Sequence, residues 1–447
     1  MKKYLLIILI CFQPIISFAD NVINITNGII DPVPVAINGF AVMNEEDTQV
    51  AKEIIDVITN DLKNCGIFRP ISPAAFIETK KGTGYVPLFA AWQQINALLL
   101  LNGDVVRTES GKINIKFTLW DSILERPIVT ESLELPEKLW RRAAHKISDR
   151  VYEMVTGSKG YFNTRITYVA ESGPYLKRIK RIAIMDQDGA NHHYLTSGAD
   201  LVLTPRFSHD GKHIIYLSYK NKIPQVFTLD LRTGRSRLLG NFPGMSFAPR
   251  FSPDGQYAIM SIAKNGFTNI YEMNLKTKRV QQLTEGKSIN TSPTYSPDGK
   301  NIVFNSDRNG GRHIYTMDRL GNNIQKISTG NGVYAEPSWS NSNYIAFTKI
   351  SRTVGFAIGI MNPELIDGQN SERLIAKGYL VESPSWSCNG RMIVFTKGSA
   401  PNRGKLPKAQ NIKGLNKLHV VDFTGYSERI IPTPEDASDP DWSQPID

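Results

Sequence analysis

The sequence predicts an N-terminal α/β domain followed by an all-β six-bladed β-propeller closed by strands from both ends of the chain. Three observations predict this. The pattern Pro-x-aromatic-Ser recurs six times, starting at Pro205, Pro249, Pro293, Pro337, Pro384 and Pro440, with spacings of 44, 44, 44, 47 and 56 residues. A β-branched and aromatic run follows each of the first five copies within seven to nine residues of its proline. Residues 20–160 lack the repeat and alternate between helical and strand-like patterning instead.

Within each period the parts fit a blade. Three copies continue almost identically, as Ser208-His-Asp-Gly-Lys, Ser252-Pro-Asp-Gly-Gln and Ser296-Pro-Asp-Gly-Lys. Glycine after aspartate takes positive φ without a Cβ penalty, so these segments read as tight hairpin turns. The strands that follow are Ile214-Ile-Tyr-Leu, Tyr257-Ala-Ile-Met, Ile302-Val-Phe-Asn, Tyr344-Ile-Ala-Phe and Met392-Ile-Val-Phe. A third strand, such as His313-Ile-Tyr-Thr-Met-Asp, and a short fourth, such as Gln325-Lys-Ile-Ser, complete the unit. Four short antiparallel strands per 40–45 residues is the propeller period. The fourth copy has Ser340-Asn-Ser-Asn in place of Asp-Gly; asparagine tolerates left-handed geometry, so that turn is expected to persist.

Counting strands predicts how the ring closes. Residues 164–196 supply a second, third and fourth strand (Arg165-Ile-Thr-Tyr-Val, Ile182-Ala-Ile-Met-Asp, Tyr194-Leu-Thr) with no motif ahead of them. Pro440-Asp-Trp-Ser supplies a first strand with nothing behind it. Joined, they make a sixth blade and leave no open edge.

The chain before the repeat is read element by element. Val33–Phe40 is a strand, and Asp47–Asn64 a helix with Val50, Ile54, Ile55, Ile58 and Leu62 on one stripe. Leu88–Asn96 is a second helix and Ala97–Leu101 a buried strand. Asp104–Glu109 and Lys112–Trp120 form a hairpin, Ile128–Leu133 a further strand, and Pro136–Val155 a long helix. The predicted divisions are 1–19 as a signal peptide, 20–160 as the α/β domain and 161–447 as the propeller, with Gly157–Gly160 between the last two.

Composition narrows the function classes. The chain has 447 residues, 41% hydrophobic and 21% charged, which argues against general disorder and a polytopic membrane protein. Three cysteines exclude a disulfide scaffold and a four-cysteine zinc cluster, and Cys65 and Cys388 are expected as separate buried thiols rather than a disulfide. Lys2 and Lys3, the apolar run Tyr4–Phe12 and Ser17-Phe18-Ala19 read as a cleavable export signal, too short to span a bilayer, which needs about 20 apolar residues. The formal charge of +10 would invite nucleic acid in the cytoplasm; export removes that partner. Residues 20–160 hold 15 basic and 18 acidic residues, and residues 161–447 hold 35 and 24, so an acidic partner fits the propeller better.

No catalytic constellation emerges. The sequence contains no Gly-x-Ser-x-Gly, no Walker loop and no His-Glu-x-x-His. His192 and His193 are adjacent on a strand and face opposite ways, and Asp186-Gln-Asp-Gly lacks the remaining ligands of a calcium loop. The expectation is no cofactor, no metal and no enzyme. Gly398–Lys417, carrying Arg403, Lys405, Lys408, Lys413 and Lys417, reads as an exposed basic insertion.

Several stretches together resemble the TolB family of the Tol–Pal envelope system. They are Asn60-Asp-Leu-Lys-Asn-Cys-Gly-Ile-Phe-Arg-Pro, Ala90-Ala-Trp-Gln, Leu139-Trp-Arg-Arg-Ala-Ala-His and Thr164-Arg-Ile-Thr-Tyr-Val, joined to the propeller repeat. The resemblance covers essentially the whole chain after the signal. It implies a non-catalytic periplasmic adaptor, a monomer with no membrane span, linking inner-membrane TolA to the outer-membrane lipoprotein Pal and supporting outer-membrane integrity and invagination during cell division. Outer-membrane proteins are further candidate partners. By the same resemblance the propeller mouth binds Pal, at loops ahead of the repeated motif: Phe242, Met245, Ser246, Ala248, Asn290, Thr291, Tyr334, Glu336 and Glu382. Met245 stands where the family commonly has a histidine-like polar residue. Residues 20–30 match the TolA-binding tail, with Asp20, Val22, Ile23, Ile25, Asn27 and Ile29 as its candidates. The alternatives are a propeller hydrolase and a peptidoglycan-binding module.

Overall fold

A computed structural model describes residues 31–446 except 175–176, 221, 241, 243, 365–371 and 400–414. Its first layer is a mixed sheet of five strands: β1 (Val33–Val42), β2 (Phe68–Pro70), β3 (Leu99–Arg107), β4 (Lys112–Asp121) and β5 (Arg126–Pro136), in the order β2-β1-β3-β4-β5. β1 runs parallel to both neighbours, and β3, β4 and β5 form an antiparallel meander. Helix α1 (Thr48–Asn64) buries Val50, Ala51, Ile54, Val57, Ile58 and Leu62, the stripe its period requires. Helix α2 is short (Phe89–Gln94), and helix α3 (Trp140–Thr156) packs beside α1 and stops at Gly157, which takes φ +69°.

Three details differ from the sequence reading. The two strands expected at Ala97–Leu101 and Asp104–Glu109 are one continuous strand, β3. Gly103 sits inside it because the Phe40 ring lies where a side chain would go: an added Cβ would come within 2.6 Å of that ring. The long helix begins at Trp140, after a 3-10 turn at Glu137–Leu139 that follows the end of β5. β2 was not anticipated; three residues are too few to show a period.

The second part is a ring of six four-stranded antiparallel sheets. The first five blades have inner strands Val202–Phe207, Met245–Phe251, Asn290–Tyr295, Val333–Trp339 and Leu380–Trp386. The sixth joins Asp436–Trp442 to β6 (Arg165–Ser172), β7 (Ile179–Asp186) and β8 (His193–Tyr194). The Trp442 indole N–H donates to Thr164 Oγ1 at 2.8 Å, and Arg165 and Ser443 exchange two hydrogen bonds. The ring is therefore closed by strands from the two ends of the propeller segment, as counted from sequence.

The repeated motif acts through specific bonds. In blade 2, Asp254 Oδ1 accepts from the Ser252 hydroxyl and the Gln256 N–H, while Ser252 Oγ accepts from the Tyr257 N–H at 2.9 Å. The same set recurs at Ser208/Asp210 and Ser296/Asp298. Gly255 takes φ +67°, and in the fourth blade Asn343 takes φ +59° at the glycine position. The aromatic residue packs between blades: Tyr295 sits with Ile259 and Ile270 of the previous blade and Phe304 and Tyr315 of its own. A single core unites the two parts, with Ile58, Leu62 and Cys65 from α1, Tyr152 from α3 and Cys388, Met392 and Trp442 from the propeller. Cys65 and Cys388 are both buried free thiols. Burial pushes the Cys65 thiol up to about 11 and that of Cys388 up to about 12, so neither is a poised nucleophile.

Candidate functional site

Every inner strand carries an irregularity that the sequence reading missed. Immediately before the proline of each motif, a non-glycine residue takes left-handed backbone: Thr204, Ala248, Ser292, Glu336, Ser383 and Asp439, with φ between +48° and +58°. At the same point the inner strand advances three residues while its partner advances two, as between Phe247/Arg250 and Ser261/Ile259. The other five blades repeat it. This is a β-bulge, which re-aims side chains and interrupts the ladder. A residue before proline is normally driven to extended geometry, so six left-handed pre-proline residues in one ring mark the channel wall as a place of constraint.

Three of those positions bring acids together. Glu336 Oε2 accepts the Ser383 N–H at 2.7 Å and the Thr348 hydroxyl at 2.8 Å, and the Ser383 hydroxyl reaches Asp439 Oδ1 at 3.1 Å. Glu382 stands beside them. Burial first, then the charges of Glu336 and Asp439, pushes its carboxyl up to about 7, with Lys180 opposing. Lys180 also pairs with Glu171 at 3.0 Å. The axial wall on the side where the inner strands enter is thus acidic, and the basic excess of the propeller is not concentrated there.

Around this entrance lies an apolar rim. Ile179, Leu201, Ile223, Met245, Ile289 and Tyr379 are all exposed, Met245 by 55% and Tyr379 by 62%. Each lies where chain enters an inner strand or passes from the second to the third strand, which antiparallel order puts at one end of the ring. Large apolar residues gathered on one face are the signature of a docking surface. Of these, only Met245 was named from sequence; the others carried a readable signal, an apolar residue in a polar loop next to a predicted strand.

The nine mouth residues fall into separate roles. Met245 is on the rim, Thr291 is half-buried and accepts from Asn305, and Ala248, Glu336 and Glu382 belong to the channel wall. Ser246, Asn290 and Tyr334 are buried. Asn290 holds the Arg308 guanidinium at 2.9 Å, and the Tyr334 hydroxyl donates to Glu372 at 2.7 Å, so both position neighbouring groups. Phe242 packs against the core between blades 1 and 2. Asp20, Val22, Ile23, Ile25, Asn27 and Ile29, and the basic segment 400–414, lie outside the described residues.

The seam between the two parts holds a buried polar cluster. His145 Nδ1 lies 2.7 Å from Asp61 Oδ2, and the Gln187 amide donates to Asp61 Oδ1 at 2.9 Å. Asp61, His145 and Asp188 are the one group among the described residues whose ligand atoms converge as a metal would need. Arg141 pairs with Asp188 there and lies 3.8 Å from Asp186, so a cation already neutralises the carboxylates. Although burial opposes protonation of His145, the neighbouring aspartates, Asp61 foremost, hold its pKa above the ordinary value. The Asp186-Gln-Asp-Gly turn, read from sequence only as the end of a strand, is what reaches across the seam.

Residues 21–128 match the TolB amino-terminal domain family and residues 152–446 the TolB beta propeller domain family. The Tol-Pal system protein TolB of Rickettsia bellii (strain OSU 85-389) is 58% identical over 448 residues, covering 99% of each chain. That of Rickettsia massiliae is 57% identical with the same coverage. The crystal structure of TolB from Acinetobacter baumannii superposes with a TM-score of 0.79 at 25% identity, covering 92% of this chain and 97% of that one. Among the described residues no helix is long and apolar enough to cross a membrane.

Proposed function

The chain belongs to the TolB family, and from that premise we propose that it is a non-catalytic periplasmic adaptor of the Tol–Pal system. In this reading residues 1–19 direct export, residues 20–30 bind TolA, and the propeller mouth, within 161–447, binds Pal. The protein thereby links the inner-membrane and outer-membrane halves of the system and supports outer-membrane integrity and invagination during division. The supporting observation is the mouth itself: an apolar rim around an acidic axial wall suits a protein partner with an apolar core and a basic or hydrogen-bonding tip.

The test is titration of purified Pal and TolA against the full mature chain. Met245→Asp and Tyr379→Asp should each weaken Pal at least about tenfold, since a charge introduced at a desolvated apolar contact costs well over 1.4 kcal/mol. Deleting residues 20–30 should abolish TolA binding. Unchanged Pal affinity in both folded rim variants overturns the mouth assignment, and unchanged TolA affinity overturns the tail assignment.

A further inference from the structure

The far end of the channel carries the opposite charge from the mouth. The variable position of Pro-x-aromatic-Ser faces the axis, and around the ring it is Arg206, Arg250, Thr294, Ser338, Ser385 and Asp441. Two arginines from neighbouring blades therefore meet one aspartate. That aspartate is already engaged: Asp441 Oδ2 accepts the Phe207 N–H at 2.8 Å, and Oδ1 accepts the Ser385 hydroxyl at 3.2 Å. Its distances to Arg206 and Arg250, 3.8 and 3.7 Å, are those of ion pairs without hydrogen bonds. Arg206 Nη1 donates to the Pro205 carbonyl at 2.7 Å and reaches the Asp439 carbonyl at 3.5 Å. The Arg250 guanidinium makes no hydrogen bond to a side chain or carbonyl of the described residues; Asp441 Oδ1, at 3.7 Å, is the acid it pairs with.

Both guanidiniums open onto a pocket of about 160 Å³ at the turn end of the ring, also lined by Trp339 and Trp442. Space of that order holds a molecule the size of benzene. Burial, reinforced by Arg206, pushes the Arg250 guanidinium down to about 10, against the opposing charges of Asp441 and Glu336. Guanidinium donors in a planar fork match the oxygens of carboxylate or phosphate.

We propose that this pocket is a binding site for a small oxyanion, carboxylate or phosphate, held between Arg206 and Arg250. The acidic wall at the opposite end repels such a ligand, so it enters from the turn end. The site is separate from the proposed Pal-binding mouth, and its failure leaves that reading untouched.

Tryptophan fluorescence of the full mature chain, titrated at constant ionic strength with sodium phosphate, sodium malonate or sodium chloride, tests this. Phosphate or malonate should give a saturable change that chloride does not; the anion with the lower midpoint identifies a tetrahedral or carboxylate ligand. Arg250→Gln and Arg206→Gln should each raise that midpoint at least about tenfold, the loss expected for a charge-assisted hydrogen bond. Arg250→Lys should fall between, and Arg352→Gln, outside the pocket, should match the wild type. Absence of a saturable response in the wild-type chain overturns the proposal even if the variants fail to fold. An unchanged midpoint in folded Arg250→Gln overturns it equally.

Discussion

Glu382 shows how one side chain sets a pH response for the channel. Its carboxyl is raised from 4.5 to about 7, so the folded state prefers it protonated. The stability it contributes is complete below pH 4.5 and is lost as pH rises through about 7. Glu382→Gln cannot ionise and should escape that loss. Thermal melts from pH 4 to 8 should show equal stability at the acidic end and a variant more stable by about 1–2 kcal/mol at pH 8, after solvent screening is allowed for. Parallel curves would contradict it. The residue was picked out from sequence only as a loop position ahead of a motif. Its neighbours Glu336 and Asp439 come from blades 46 and 57 residues away in the chain, a proximity that depends on ring geometry and leaves no local trace.

At the level of the strand, the sequence carried the blade in full and its bulge not at all. Ser, Asp and Gly of the turn are read from known turn chemistry, and the aromatic residue from its period. The residue before proline is of five different types across the six blades, Thr204, Ala248, Ser292, Glu336, Ser383 and Asp439, so no residue type signals its left-handed backbone. Rules for residues before proline point the other way. Left-handed backbone costs a residue with a Cβ about 1–2 kcal/mol. Thr204 is β-branched, and its buried hydroxyl has no hydrogen-bond partner among the described residues, which adds to that cost. Thr204→Gly should therefore stabilise the protein by about 0.5–1 kcal/mol despite the entropy of glycine, whereas Ala248→Val should destabilise it by about 1–2 kcal/mol. Urea unfolding midpoints measure both, and a loss of stability in Thr204→Gly would show the hydroxyl or methyl to be needed. The seam cluster was equally hidden: Asp61, His145 and Asp188 sit on two helices and a turn from separate parts of the chain, and each looks ordinary in its own segment.

Over the whole molecule, closure is the property on which the rest depends. The strand Asp436–Trp442 pairs along β6, and Trp442 belongs to the core shared by the sheet domain and the propeller. Deleting residues 438–447 should lower the melting temperature by more than about 10 °C, because it removes an inner strand and an aromatic residue whose truncation alone costs about 3–5 kcal/mol. A melt coincident with that of the full chain would mean that blade six holds together without its inner strand. The same pairing has a consequence for biogenesis. A ribosome delivers β6, β7 and β8 long before Asp436–Trp442, with some 240 residues still to come. Until Asp436–Trp442 is translated, β6 offers a bare row of backbone donors and acceptors, the kind of edge on which chains stick to one another. Only when Asp436–Trp442 arrives does that vulnerable border find its own partner within the same molecule.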